Sequence, residues 1–312
     1  MRKIPAALAI LGLAAVGLAG CSLPAASDCP RPDGSGEDLD LIQVTGSTDA
    51  APEVDLYTPF NPPVTQFTDL EEGDGEIPIT SDGQLVVLDL SLYSGDSGEP
   101  LVASGYDGDL SQPIPMSQWV ATVPALEQAL HCASDGARVV VAIPPDGIEA
   151  SAATSVGLSE GESAVAVVDV RKVYRGAADG TLVYNSGMGL PAVVRAPDGT
   201  PGVVVPDGAA PDELVTQTLI KGHGPVVEED STVRLHVLSV GWDDKEQISS
   251  TWETGAPQSQ SVTGQQLLQD VLVGQTVGSQ VMAVVPAELG GTEQATVFVF
   301  DILGLDEAAP AP

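Results

Sequence analysis

Aromatic side chains are the first shortage. Four Phe, five Tyr and three Trp make up 4% of 312 residues, too few to line a broad aromatic cage. Basic residues are scarce too: 11 Lys and Arg stand against 44 Asp and Glu, a net charge of −33. Such a surface repels nucleic acid and anionic lipid headgroups, so neither is expected as a partner. With three His and three Cys, no two of which have zinc-ligand spacing, no resident metal or other cofactor is expected. The acidic run Asp69, Glu71, Glu72, Asp74 and Glu76 lacks the register of a calcium loop and reads as solvated chain. Beyond the first twenty residues, no apolar run is long enough to span a bilayer.

Those first residues carry a distinct signal. Arg2 and Lys3 precede an apolar run over residues 4–19, which ends in Leu18-Ala19-Gly20-Cys21. This is the layout of a secretory leader, and the Cys after Leu-Ala-Gly resembles a bacterial lipobox. The expectation is a signal peptide over 1–20, lipidation at Cys21, a tether over 21–37 and a body held outside the cytoplasmic membrane by lipid alone. Loss of the leader leaves nine basic residues and the cysteines Cys29 and Cys132. An exported protein can oxidise that pair to a disulfide; the alternative is a buried thiol at Cys132 and a free one at Cys29.

The remaining chain uses one pattern twice. Pro124-Ala-Leu-Glu-Gln-Ala-Leu130 leads through Gly136 to a Val-rich run ending at Ile143-Pro144, and Gln266-Leu-Leu-Gln-Asp-Val-Leu272 leads through Gly278 to one ending at Val285-Pro286. Leu126 and Leu130, like Leu268 and Leu272, stand at i and i+4 on one helical face. Each helix is too short to be stable alone and must lie on a sheet. The Gly suits a left-handed turn and the Val run suits a strand. An offset of 142 residues between the two glycines points to a tandem duplication. The expected parts are a first domain over 38–175, a linker with leading strands over 176–213, a second domain over 214–305 and a disordered tail over 306–312. The class is α+β, each domain an antiparallel sheet curled around one short helix.

In order, Gly222-His-Gly224, a strand over 233–240, Ile248-Ser-Ser-Thr-Trp252, the helix over 267–272, Val277-Gly278, Val285-Pro286-Ala-Glu-Leu289 and Val297-Phe298-Val-Phe-Asp301 resemble the FKBP-type peptidyl-prolyl cis-trans isomerases. Ile143-Pro144-Pro145 and residues 165–169 are the corresponding matches in the first half. The resemblance implies two FKBP-like domains and a chemistry that needs no nucleophile. It places a prolyl pocket at Leu238, Ile248, Leu268 and Phe298, with Trp242 and Trp252 as rim candidates. Leu268 takes the place of the family's floor Trp, Ser249 that of its Asp and Gln258 that of a second Phe. The first-half counterparts Leu101, Val102, Leu126 and Ala166 carry no ring. The implied partners are unfolded or proline-containing segments of exported proteins. The expected function is a lipid-anchored isomerase and folding factor; the alternative is a catalytically inactive tandem binding module. Gly95-Asp96-Ser97-Gly98 resembles a serine-protease motif, but His131, His223 and His236 all follow Ser97, against the chymotrypsin-like order.

Overall fold

The computed structural model describes residues 29–185 and 187–307. The leader, Cys21 and the end of the tail lie outside the described residues. The chain divides into two units, Met1–Pro30 and Arg31–Pro312. In the first, the described residues are Cys29 and Pro30; in the second lie all the elements below. Cys29 and Cys132 are both disulfide-bonded. Among the described residues no helix is long and apolar enough to cross a membrane.

After a 3₁₀ turn over Glu37–Leu41 comes the hairpin β1 (Ile42–Thr45) and β2 (Glu53–Leu56). Next are β3 (Gln66–Glu71), β4 (Leu85–Ser94), β5 (Pro100–Ala103), β6 (Ile114–Pro115), α1 (Met116–Thr122), α2 (Ala125–Leu130), β7 (Arg138–Ile143), α3 (Ala150–Ser155) and β8 (Ala164–Val173). The second series runs β9 (Gly180–Leu182), the hairpin β10 (Ala192–Arg195) and β11 (Pro201–Val204), β12 (Val215–Gly222), β13 (Thr232–Gly241) and β14 (Gln247–Ser250). It ends with α4 (Thr251–Thr254), β15 (Gln258–Ser261), α5 (Gln266–Leu272), β16 (Gln280–Val285), α6 (Ala287–Gly290) and β17 (Thr296–Asp306).

Two antiparallel sheets result, with the same strand order. The first runs β3-β7-β8-β4-β5, with β6 beside β4; the second runs β12-β16-β17-β13-β14, with β15 beside β13 and β9 added outside β12. The inner strands are buried on both faces, which is why β7, β8 and β16 read as unbroken Val and Ala runs rather than as alternation. On one face of the first sheet lie α1 and α2, through Met116, Leu126, Ala129 and Leu130. Its other face is covered by Leu56 and Phe60, with Ile42, Val44 and Val54 of the hairpin. The second sheet repeats this: α5 covers one face through Val271 and Leu272, while Val193, Val203 and Val205 cover the other. Residues 176–213, expected as a linker with leading strands, supply a packing layer, because Leu238, Met282 and Val299 need apolar cover on the face away from the helix. A helix expected to be single in the first half is a pair, α1 and α2, and a further short helix, α3, precedes β8.

The duplicated glycines adopt the same conformation, φ +85° at Gly136 and +88° at Gly278. Each begins the return strand with a paired backbone contact. Gly136 donates to Val170 at 2.8 Å and Gly278 to Ile302 at 2.7 Å, while Val170 donates back to Ala137 and Ile302 to Ser279. Positive φ is costly for any residue with a Cβ, so glycine is required at both turns. The copies differ in the segment that follows: twenty residues connect β7 to β8, but ten connect β16 to β17.

A polar row crosses each sheet at matching positions. In the first, Arg138 faces Asp169, which faces Asp89; in the second, Gln280 faces Asp301, which faces His236. Arg138 and Asp169, each 2% exposed, form a two-point ion pair at 2.7 and 2.9 Å. The guanidinium also donates to the carbonyls of Gly46 and Ser47 in the β1–β2 turn, so every charge-bearing edge is occupied. Burial of two ions is tolerated only with such complete pairing. Replacing Arg138 with Met is expected to lower the unfolding free energy, read by urea denaturation, by about 3 to 5 kcal/mol, because Asp169 is left charged and buried. Arg138→Gln, which copies the donor of the second sheet, is expected to cost about 1 to 3 kcal/mol. Equal losses for the two variants would show that the amide donor recovers nothing and that the loss comes from removing the charge of Arg138.

Candidate functional site

An apolar cavity of about 190 Å³ opens between α5 and the second sheet. Leu235 and Val237 of β13, Phe298 and Phe300 of β17 and Val285 of β16 form its sheet side. They share a face because they stand two residues apart on neighbouring antiparallel strands. The two phenyl rings lie nearly parallel, 15° apart with centroids at 5.7 Å, Phe300 buried and Phe298 half exposed toward the opening. Leu267, Leu268 and Val271 of α5 form the opposite wall, and Gln258 and Gln260 of β15 stand at the edge. Sites for drug-sized ligands measure about 300 to 1,000 Å³, so this cavity admits one compact side chain or ring.

Among the described residues, the corresponding place in the first sheet's core is filled. Leu126 and Ala166 are completely buried, and α1 packs Met116, Trp119 and Val120 into the same cluster. Between β15 and α5 the second half has only a four-residue turn, so no helix fills the space that α1 fills in the first. The first-half position Leu101 is half-buried against that core, and Val102 is exposed.

Of the six residues read as pocket or rim, two meet in the cavity: Leu268 and Phe298. Leu238 is buried on the opposite face with Met282 and Val299, because one step along a strand reverses the side. Its neighbour Val237 takes the wall position. Ile248 is 57% exposed: the β13–β14 register shifts between Ser239 and Val240, which leaves Ile248 outside the regular pairing. Trp242, 2% exposed, packs on the covered face and donates its indole N–H to the Gly208 carbonyl at 2.9 Å. Trp252 stacks on His236, centroids 4.0 Å apart, and so belongs to the polar row. Sequence reasoning missed Leu235, Val237, Leu267, Val271, Val285, Phe300 and Gln260. The alternation Val233, Leu235, Val237 was the available signal for the β13 pair.

Nothing in the cavity wall is a nucleophile, an acid-base pair or a metal ligand. Such a site acts through shape, exclusion of water and a few hydrogen bonds, the class of protein that binds or reshapes a ligand without covalent chemistry. Sequence comparison supplies the family. The chain is 30% identical over 92 residues to an FK506-binding protein from Streptomyces anulatus, a match that covers 28% of this chain and 74% of that one. The chain belongs to the FKBP-type peptidyl-prolyl isomerase family. No family model matches it. Among solved structures, it is similar to a multi-domain immunophilin from Arabidopsis thaliana, with 17% identity, TM-score 0.28 and coverage of 33% of this chain and 46% of that one. A structure of the three FKBP domains of wheat FKBP73 shares 12% identity and TM-score 0.32, covering 77% of this chain and 94% of that one. FkpA from Escherichia coli shares 20% identity and TM-score 0.28, covering 41% of this chain and 55% of that one.

Behind the cavity, the polar row sets an acid-base balance. Burial holds the His236 imidazole neutral, its pKa pushed down to about 4, with Nδ1 2.8 Å from the Thr251 hydroxyl. Burial also pushes Asp301 up to about 6, against the backbone N–H of Ala178, the Gln280 amide and the nearby Arg195. For His236 the unfolded chain binds a proton from about pH 6.5 downward and the folded chain only near 4, so stability falls as pH drops through that window. For Asp301 the folded form binds its proton near pH 6 and the unfolded form near 3.8, so stability rises as pH drops. The slopes oppose each other, each about 1 kcal/mol per pH unit. Urea denaturation between pH 4 and 7 is expected to show Asp301→Asn losing stability on acidification faster than the wild type, and His236→Gln more slowly. Profiles parallel to the wild type for both variants would rule out this balance.

Proposed function

We propose that the chain is a lipid-anchored, extracytoplasmic peptidyl-prolyl isomerase that acts on exported proteins, with the prolyl site in its second half and a closed structural copy of the same fold in its first. The observation that carries this reading is the apolar cavity over Phe298 and Phe300, sized for a single ring. Rotation about an X-Pro bond meets a barrier of about 18 to 20 kcal/mol because amide resonance is lost. A prolyl ring seated between Phe298 and Leu268 leaves its amide at the edge of an apolar space. There the twisted, less conjugated bond is favoured over the planar, more polar one. Burying the three ring methylenes contributes about 2 to 3 kcal/mol, short of the roughly 4 kcal/mol of a millimolar complex. Binding is therefore weak and transient, suited to flexible clients with many prolines.

Phe298→Ala is expected to lower catalysis of proline-limited refolding by about thirty-fold, the equivalent of about 2 kcal/mol of lost contact with the ring. Leu268→Trp, which restores a flat floor, is expected to raise it. Two features favour a second reading, a binding module without catalysis: all but two of the wall side chains are aliphatic or amide, and Ile248 stands outside the wall. No acceleration by the wild type, with proline peptides still shifting the ring signals of Phe298 and Phe300, would decide for that module.

The anchor rests on Leu18-Ala19-Gly20-Cys21. A mass spectrum of the mature N-terminus is expected to show a lipidated Cys21, and Cys21→Ser is expected to move the protein from the membrane to the soluble fraction. An unmodified, uncleaved N-terminus would end this part of the proposal.

A further inference from the structure

Gln258 and Gln260 are the two polar residues on the wall of an otherwise apolar cavity. They stand two apart on β15 and so point to the same side, Gln258 exposed and Gln260 half-buried. The Gln260 amide donates to the Gln258 side-chain oxygen at 3.4 Å, a long contact that leaves three N–H groups and the Gln260 oxygen of the pair without another partner among the described residues. Turning both amides over leaves the same complement, so the pair presents a donor beside an acceptor in either arrangement.

We propose that Gln258 and Gln260 make the pocket select prolines flanked by a carboxamide side chain, Asn or Gln. The inference rests on the prolyl reading of the cavity and names the substrate feature it prefers. A carboxamide carries one acceptor and donors in the same plane and pairs with a free N–H and the free oxygen at once. A carboxylate has no donor for the free oxygen, and it approaches a chain of net charge −33. An ammonium has no acceptor for a free N–H. An aliphatic neighbour offers no partner to the half-buried Gln260 amide, which a polar site penalises. With no charged group on the wall, the amides alone decide among neighbours of similar size.

The test uses the full-length chain carrying Cys21→Ser and the capped peptides Ala-Gln-Pro-Gln-Ala, Ala-Leu-Pro-Leu-Ala and Ala-Glu-Pro-Glu-Ala, followed by NMR through the ring signals of Phe298 and Phe300. The Gln peptide is expected to bind about five- to ten-fold more tightly than the Leu peptide, with the Glu peptide weakest. In the double variant Gln258→Leu, Gln260→Leu, on an exposed edge strand, the order of the Gln and Leu peptides is expected to reverse. Equal binding of all three peptides, as a contact to the peptide backbone would produce, overturns the selectivity and leaves the prolyl site standing. A Gln preference that survives in the double variant also overturns it. No shift with any peptide removes the prolyl reading and this inference with it.

Discussion

The left-handed turn at Gly136 and again at Gly278 is the constraint on which each half depends. A short helix has marginal stability of its own and must be brought down on a sheet. At each turn the chain leaves the helix and starts the strand beneath it, locked to the last strand by two backbone hydrogen bonds. With that corner set, β7 and β16 enter between their neighbours in one register, and the helix lies over the residues that alternate from them. The first half continues the idea by adding α1 to close its core; the second omits it and keeps a cavity.

The polar rows show how far the copies have separated while keeping the frame. A buried carboxylate on the last strand persists in both, as Asp169 and Asp301. In the first it meets a guanidinium, which pairs with it at two points and ties it to the β1–β2 turn. In the second it meets a carboxamide, and the same burial pushes the carboxyl toward its neutral form. One strand position thus has two electrostatic solutions, decided by a single neighbour.

Much of the frame was legible in the chain. The equal spacing from helix to glycine to proline located both helices and both return strands, since local geometry ties glycine and Val-rich runs to turn and strand. The outer layers were not legible: residues 192–204 carry no periodicity that says which sheet they cover. For the site, Leu268 and Phe298, named by the resemblance, line the cavity because a helix face and a long regular strand preserve parity. Leu238 could not, since one residue changes its side of the sheet, nor could Ile248, which follows a register shift invisible in the residues around it. Trp242 and Trp252 misled for a different reason: large rings satisfy many environments, and here Trp242 packs on the far face while Trp252 stacks on His236.

The short connection between β16 and β17 has a kinetic meaning. None of its ten residues lines the cavity, and α6 within it leaves Leu289 exposed to solvent. Entry and exit therefore require no flap to lift and no segment to order. Association proceeds at the ordinary rate for docking without rearrangement, about 10⁵ to 10⁷ M⁻¹s⁻¹, and dwell time is set by affinity alone. A proline-containing segment bound as proposed is therefore sampled many times in brief visits.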